Sequence, residues 1–574
     1  MADSKAPHGL DRGVTQYGDR EFARYLRRSF AKSMGYSDEM LARPIVGICY
    51  TPSGFNNCHR HFPEMLEAVK RGVLAEGALP MPFPVVSLGE VFLSPTSFKY
   101  RNLMAMDVEE MIRAQPMDSV VLMGGCDKTV PAELMGAVSA DLPAVQLVAG
   151  PMSTGRWRGE RLGACTDCRR FWAQYRGGRV SDEEIADIEG RLSVTAGTCA
   201  VMGTASTMAC IAEALGMALP GSATAPAVHA DRLRIAEESG RAAARMIGSK
   251  LTPRAIVTPG AVENALRVLL ALSGSTNAVI HLTAVAGRAG LKIGLDDLNR
   301  LAEDTPTLVD LKPVGENYME DLDAAGGLEG VLRELKPLLH LDAMTVTGET
   351  LGERLAKPAP YIDPAIVRPA STPIAANGGL IGLAGSLAPE GALLKRAAAT
   401  PALMEHTGRA VVFASLDDLA DRIDSPDLDV TADDILVLQN AGPRSPAAMP
   451  EAGYLPIPSK LARAGVKDMV RISDARMSGT AFGTIVLHIT PEAADGGPLA
   501  LVRNGDMIRL SASERRIDLL VDEAELATRR ATLPPRPPLP ERGYGQLFER
   551  TITSATDGCD FDFLRPAEVK PLRA

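Results

Sequence analysis

Aromatic side chains make up only 4% of this 574-residue chain, and cysteines number eight. Thiols so thinly spread cannot form a disulfide framework, so each is judged by its surroundings as a packing, metal-binding or catalytic group. Positive charge is in deficit too, with 61 Lys and Arg against 71 Asp and Glu and a formal net charge of -10. No long basic block collects, which excludes a general nucleic-acid surface. An acidic small molecule would need local cations or metals. The apolar stretch 266–286 is interrupted by Ser273-Gly274-Ser275-Thr276-Asn277, so no membrane span is expected. The first residues lack the apolar core of a secretory signal, and the protein reads as cytoplasmic. Internal repeats and low-complexity tracts are missing as well.

What is present is an ordinary globular composition, 46% hydrophobic and 23% charged. The length exceeds the roughly 250–300 residues that one core serves, which implies two domains. Over about 43–290, short apolar runs alternate with helical patterns, the texture of an α/β/α domain with a mainly parallel sheet. Segments 44–50, 119–123 and 145–148 read as strands. Phe62, Met65, Leu66, Val69, Val73 and Leu74 mark an amphipathic helix, and 131–140 suits another. Segment 357–373 carries five prolines, which break helix and strand alike. The boundary is placed there, giving an N-terminal domain over 1–370 and a C-terminal domain over 371–574. The second is expected to be β-rich and barrel-like, with strands at 435–438, 469–472 and 484–489 and a hairpin turn at Asn504-Gly505. After Ala531, the segment TLPPRPPLPERGYG reads as an extended tail that wraps the surface or a neighbouring subunit.

Three cysteines stand in glycine- or asparagine-flanked loops directly ahead of predicted helices: Cys58 in SGFNNCHRH, Cys126 in MGGCDKT and Cys199 in TAGTCAVMG. Backbone N–H groups at a helix start favour negative charge and so stabilise a thiolate, the metal-ligating form. The three could meet only through the fold, and buried structural cysteines are the competing reading. Asp127 and Lys128 follow Cys126 directly, and Glu90 closes another strand-to-loop stretch, VVSLGE. Carboxylate oxygens suit a hard ion such as magnesium. The plain alternative makes Asp127 a helix cap and leaves Lys128 and Glu90 solvated. Cys165 and Cys168 form a CxxC in GACTDCRRFW without a second CxxC. With Arg169-Arg170 and Phe171-Trp172 beside it, this pair reads as part of an amphipathic surface helix rather than a zinc or redox site. Cys49, Cys210 and Cys559 read as packing residues; His59 and His61, just after Cys58, could donate to groups around that thiol, but they and His281 and His488, which lie in apolar runs, read rather as core or capping histidines.

The segments SGFNNCHRH, MGGCDKTVPAELMGA, AGTCAVMGTASTM, GSTNAV, MPEAGYLPIP and ISDARMSGTAFGTIVLHITPEA occur in that order over about 43–522. They resemble successive signatures of the family that holds dihydroxy-acid dehydratase, aldonic-acid dehydratases and phosphogluconate dehydratase. The resemblance implies a hydro-lyase that turns a 2,3-dihydroxy carboxylate into a 2-keto-3-deoxy acid. It also implies that Cys58, Cys126 and Cys199 hold a 2Fe-2S cluster, one iron site staying free of protein thiolate. Glu90, Asp127, Glu451 and a carbamylated Lys128 would bind Mg²⁺, carbamylation turning the amine into an anionic oxygen ligand. Ser478, in RMSGT, matches the family's proposed base, although a free serine hydroxyl is far too weakly acidic unless metal and positive field lower its pKa. Thr480, with Ser275, Thr276 and Asn277 of GSTNAV, would hold substrate. Similar proteins are homodimers or homotetramers, which is carried over as an expectation.

The chain departs from the family's wording at Arg444-Ser445-Pro446-Ala447-Ala448, where relatives are richer in glycine, and at Ser273, where a second glycine is common. Substrate and backbone contacts near both places stay open. Length and wording stand nearer pentonate dehydratases, such as those for L-arabinonate or D-xylonate, than the branched-chain biosynthetic dihydroxy-acid dehydratase, which is the alternative. No added phosphate site stands out for a phosphogluconate. A non-catalytic iron–sulfur sensor or scaffold is the reading from another class. Glu90, Asp127, Lys128, Glu451 and Ser478 together speak against it, since a cluster-only protein has no need of them.

Overall fold

The first sheet is built from apolar runs that do not alternate. In the computed structural model, which describes residues 7–15 and 17–573, β1 (Ile45–Tyr50), β2 (Leu79–Pro84), β3 (Ser119–Gly124) and β4 (Ala144–Val148) pair in the order β2-β1-β3-β4, all parallel. Every residue of β3 and β4 is buried, as strands covered by helices on both faces must be. The helix Phe62–Ala75 lies against Ala230–Arg245, and Arg101–Ala114 against Thr129–Ala140. The first pair meets through glycines: a Cβ on Gly72 would fall 1.9 Å from Glu237 O, and one on Gly240 2.3 Å from Val69 O. Because β1 is internal, the chain leaves it towards β2 on one side while β3 and β4 build on the other. That reversal opens a crevice past the carboxyl ends of β1 and β3, where open α/β sheets bind ligands.

Beyond β4 the expected alternation gives way to helices. Thr204–Ala214, Pro259–Ala271 and Thr276–Arg288 are buried on nearly every side, as helices apolar all round are. The stretch 266–286 is the end of one core helix and most of the next, turned at Ser273, whose φ of 48° lies in the left-handed region that favours glycine. No helix among the described residues is long and apolar enough to cross a membrane.

The second sheet has eight strands: β5 (Ile381–Leu383), β6 (Gly391–Leu394), β7 (Glu405–Phe413), β8 (Ile435–Leu438), β9 (Arg471–Ser473), β10 (Ile485–Thr490), β11 (Met507–Ser511) and β12 (Arg516–Leu519). Their order is β12-β11-β7-β8-β9-β10-β6-β5, with β7 to β10 parallel and the flanking pairs antiparallel. The ends nearly close on themselves, since Ala384 N donates to Arg515 O at 3.0 Å and Ile517 N to Ala384 O at 3.1 Å. Closure hides edges that would otherwise invite pairing. Ile381, Leu394, Val437, Ile472, Val486 and Ile517 fill the interior. Asn504-Gly505 does not join two paired strands as expected: it leads into β11, Asn504 Oδ1 accepting from Val412 N at 2.7 Å, and the hairpin turn lies between β11 and β12.

The proline-rich residues 533–540 after Ala531 carry no helix or strand, and regular structure resumes beyond them. The chain then forms the helix Gly543–Thr551 and a short strand, Lys570–Pro571, paired with Leu291–Lys292 of the first domain. Phe548 and Phe561 pack with Phe98 and Ile280. Arg288 meets Asp560 at 2.5 Å with both side chains fully buried, and Arg101 donates to Gly558 O at 2.9 Å and Cys559 O at 2.6 Å. The tail docks on its own chain.

Candidate active site

The crevice of the first sheet carries the predicted thiols. Past β1, a single 3-10 turn, Asn57–His59, sets Cys58, and past β3 the run Gly125-Cys126-Asp127-Lys128 enters the helix Thr129–Ala140. His59 joins the two loops: its Nδ1 donates to Thr51 O at 2.8 Å, and its Nε2 accepts from Cys126 N at 3.2 Å. Burial pushes His59 down to about 3, which keeps the imidazole neutral, the state this pair of bonds requires. Gly125 allows the approach, since a Cβ there would lie 2.4 Å from Ala149 Cβ. Cys199 arrives on the loop ahead of Thr204–Ala214, held where Thr198 N donates to Gly150 O at 2.9 Å. Cys58, Cys126 and Cys199 all line one cavity of about 750 Å³. The hydrogen-bonding Cys126 thiol and burial together push Cys58 well up.

Two further thiols line the same cavity. Cys165 Sγ is 3.2 Å from Cys199 Sγ, and Cys168 Sγ donates to Cys165 O at 2.6 Å. The helix Thr166–Arg176 therefore turns its first residues into the site and is not the plain surface helix expected from its composition.

Beside the thiols, one carboxylate oxygen each of Glu90, Asp127 and Glu451 lie within 4.8 Å of one another. Glu90 follows β2, and Glu451 stands on the loop after β8. Lys128 Nζ, fully buried, is 3.2 Å from Glu90 Oε2 and 3.6 Å from Asp127 Oδ2. Arg476, also buried, donates to Glu451 Oε1 and Glu90 Oε1, each at 2.7 Å, and to Met449 O at 2.9 Å. Burial works against ionisation of Glu90, but Arg476 and Lys128 outweigh it and hold that carboxyl well below its usual range. Burial and the neighbouring Glu90 push Glu451 up to about 7, and burial raises Asp127 against the pull of Lys128.

Ser478 and Thr480 stand on the loop that leaves the carboxyl end of β9, and both line the cavity. Their hydroxyl oxygens are 2.8 Å apart. Gly479 between them must be glycine, because a Cβ would lie 2.5 Å from Ser275 Cβ. Lys395, buried and brought down to about 7 by that burial, donates to Gly479 O at 3.4 Å. The structure does not put Ser275, Thr276 and Asn277 on the cavity wall. Ser275 caps the helix Thr276–Arg288 and meets Thr204 Oγ1 at 2.9 Å, Asn277 Nδ2 donates to the same oxygen at 3.1 Å, and Thr204 is the residue that reaches the cavity. Ser275 thus stands behind the serine loop at Gly479, and Asn277 reaches the cavity wall through Thr204.

Arg476, Arg169 and Thr204 were not singled out in the sequence. Arg476 could have been, since it sits two positions before Ser478 in RMSGT; Arg169 lay in a segment that reads as surface.

Two family profiles account for most of the chain: residues 43–354 match "Dihydroxy-acid/6-phosphogluconate dehydratase N-terminal" and residues 365–559 match its C-terminal counterpart. The chain belongs to the dihydroxy-acid/6-phosphogluconate dehydratase family. It is a hydro-lyase. Among its relatives, L-arabinonate dehydratase of Rhizobium leguminosarum bv. trifolii is 46% identical over 541 residues, covering 94% of this chain and 93% of the relative. The 6-deoxy-6-sulfo-D-gluconate dehydratase of Pseudomonas putida is 44% identical over 537 residues, 93% of each chain. Dihydroxy-acid dehydratase of Carboxydothermus hydrogenoformans is 39% identical over 542 residues, 93% of this chain and 97% of the relative.

Proposed function

We propose that this family member dehydrates a sugar acid, a 2,3-dihydroxy carboxylate, to a 2-keto-3-deoxy acid. Ser478 is the base, Cys58, Cys126 and Cys199 hold a 2Fe-2S cluster, and Glu90, Asp127, Glu451 and a carbamylated Lys128 hold Mg²⁺. The observation that carries this reading is the meeting, on one cavity wall, of a soft sulfur set and a hard oxygen set beside a hydroxyl pair.

The donor sets fit both groups. Burial first, and the neighbouring Glu90 after it, raise Asp127 and Glu451, and a divalent cation would favour the charged form of both. Lys128 is buried against Glu90 and Asp127, and carbamylation would turn its tip into a further oxygen donor. A bound cluster and magnesium would supply Lewis acidity for the departing hydroxyl and the carboxylate end of the substrate. The protein's own part is proton transfer and orientation. Ser478 Oγ, as the alkoxide, takes the C2 proton, hydroxide leaves C3 and takes that proton from Ser478 to depart as water, which restores the alkoxide, and the enol left behind tautomerises to the ketone at C2. Arg476 keeps Glu90 and Glu451 in place, and His59 keeps the loops of Cys58 and Cys126 in register.

The relatives named for L-arabinonate and 6-deoxy-6-sulfo-D-gluconate support a sugar acid over a branched-chain dihydroxy acid. The test is anaerobic purification followed by iron, sulfide and magnesium analysis and a keto-acid assay on pentonates, hexonates, a 6-sulfo sugar acid and 2,3-dihydroxy-isovalerate. Turnover of a sugar acid is expected. Iron and sulfide without turnover of any dihydroxy acid would replace the enzyme reading with that of a sensor.

A further inference from the structure

We propose that Arg169 is a positioning residue that makes the Thr480 hydroxyl a hydrogen-bond donor to Ser478. The inference rests on the reading of Ser478 as base and goes beyond it, because it names what would stabilise the deprotonated oxygen. Two donors face Ser478 Oγ: the Thr480 hydroxyl at 2.8 Å and the Thr480 backbone N–H, a longer contact at 3.5 Å. Either hydroxyl could donate across the first contact while Ser478 keeps its proton. Once Ser478 has given that proton up, it can only accept, and Thr480 must donate.

Arg169 favours that arrangement. Its Nη1 donates to Thr480 Oγ1 at 2.8 Å. A guanidinium has no acceptor, so the direction of this bond is fixed, and the positive charge behind Thr480 Oγ1 polarises the remaining O–H towards Ser478. The chain Arg169–Thr480–Ser478 thus resembles a preorganised anion cradle, with the charge that forms on Ser478 met by donors already in place.

The guanidinium is itself held. Nη1 reaches Cys165 O at 3.4 Å, Nη2 lies 3.7 Å from Glu451 Oε2, and Cζ sits 5.5 Å from the centre of the Tyr454 ring. Thr480 is fixed from its other end by Thr166 Oγ1, which donates to Thr480 O at 3.0 Å. Thr166 and Arg169 stand on one helix, Thr166–Arg176, so a single element sets both the backbone and the hydroxyl of Thr480. The segment around Cys165 and Cys168 thereby gains a role through its arginine.

The experiment uses the cluster- and magnesium-loaded enzyme with its best sugar-acid substrate. Arg169→Met and Thr480→Val are expected to lower kcat and the exchange of the C2 hydrogen with solvent by about 10- to 100-fold, with KM within about twofold and iron, sulfide and visible spectrum as in the wild type. Arg169→Lys should recover part of the loss, added guanidinium ion should restore part of the rate to Arg169→Ala but not to Thr480→Val, and Thr480→Ser should recover most of what Thr480→Val loses. Normal kcat and exchange in Arg169→Met would overturn the proposal, as would a raised KM with kcat unchanged, which would make Arg169 a substrate-binding residue. If Arg169→Met fails to fold or to hold the cluster, Thr480→Val decides, since it keeps the guanidinium: full exchange there sinks the relay. The underlying base reading fails separately, in Ser478→Ala that turns over normally; an inactive Ser478→Ala beside a normal Arg169→Met defeats the relay alone.

Discussion

Arg476 Nη2 lies 2.7 Å from Glu90 Oε1, although the two residues are 386 positions apart in sequence. The same guanidinium takes Glu451, so one cation from the barrel domain balances two carboxylates, one of which belongs to the other domain. Arg476→Met would leave both without that partner. Breaking a buried pair in this way costs about 3–5 kcal/mol, and a clearly lowered melting temperature is expected, together with a weaker response to magnesium. An unchanged melting temperature would show that the arginine does not tie the two domains.

Glu451→Gln removes one anionic oxygen from the hard-ion set and leaves every thiol in place. The magnesium concentration needed for half-maximal activity should rise by roughly tenfold or more, with iron content unchanged. A magnesium titration identical to that of the wild type would take Glu451 out of the metal site.

Replacing Cys58, Cys126 or Cys199 by serine should abolish the visible absorption of the cluster together with activity, because a hard hydroxyl is a poor substitute for thiolate. Cys165→Ser and Cys168→Ser should retain iron and sulfide, although both thiols line the cavity. Loss of iron from Cys165→Ser, with Cys199→Ser retaining it, would exchange their roles.

Ser478→Ala should hold a full cluster and bind substrate, yet lose turnover and C2 hydrogen exchange by about 10²- to 10⁴-fold. Both metal sites survive in this variant, so binding and catalysis separate. Near-normal turnover per intact cluster would move the search for the base elsewhere in the cavity.

His488 is buried on β10 at φ 58°, and neither ring nitrogen has a hydrogen-bond partner among the described residues. Burial pushes its imidazole down to about 3, against about 6.5 in an unfolded chain. Between those values the unfolded state takes up a proton that the folded state refuses. The contribution is therefore complete above about pH 6.5 and is lost as pH falls towards 3, by up to about 1.4 kcal/mol per unit. His488→Asn, which does not titrate and tolerates a left-handed backbone, should flatten this part of the stability curve. Equal slopes in the two proteins would refute it.

Much of this architecture was legible in the chain. The unbroken apolar runs at β1, β3 and β4 announced a covered parallel sheet, and 435–438 coincides with β8. The glycines ahead of Cys126 announced a tight loop. Less legible were features that depend on packing between distant segments. Ser275 and Asn277 are polar and next to a helix start, which suits a ligand site and a buttress equally well; their closeness to Gly479 and Thr204 is a matter of packing that the sequence does not spell out. Arg169 looked like a solvated charge because its partners, Thr480 and Glu451, come from the other domain. Ser273, Ala448 and Met449 all adopt positive φ at or beside the places where the family wording is richer in glycine, so these departures keep the turn and accept the strain of a side chain in it.

The docking of residues 543–572 on the first domain sets an order of events during synthesis. Arg101 and Arg288 sit in the first domain with no more than 1% exposure, yet some of the groups they meet, the carbonyls of Gly558 and Cys559 and the carboxylate of Asp560, are made far later in the chain. Without those groups Arg101 keeps Asn102 and His281, and Arg288 keeps Glu109 and Ser139, but the rest of each guanidinium and the apolar patch around Phe98 and Ile280 stay uncovered. Maturation of the first domain must therefore wait for residues 543–572, and a chain cut short before Phe548 would leave that earlier-made domain unfinished.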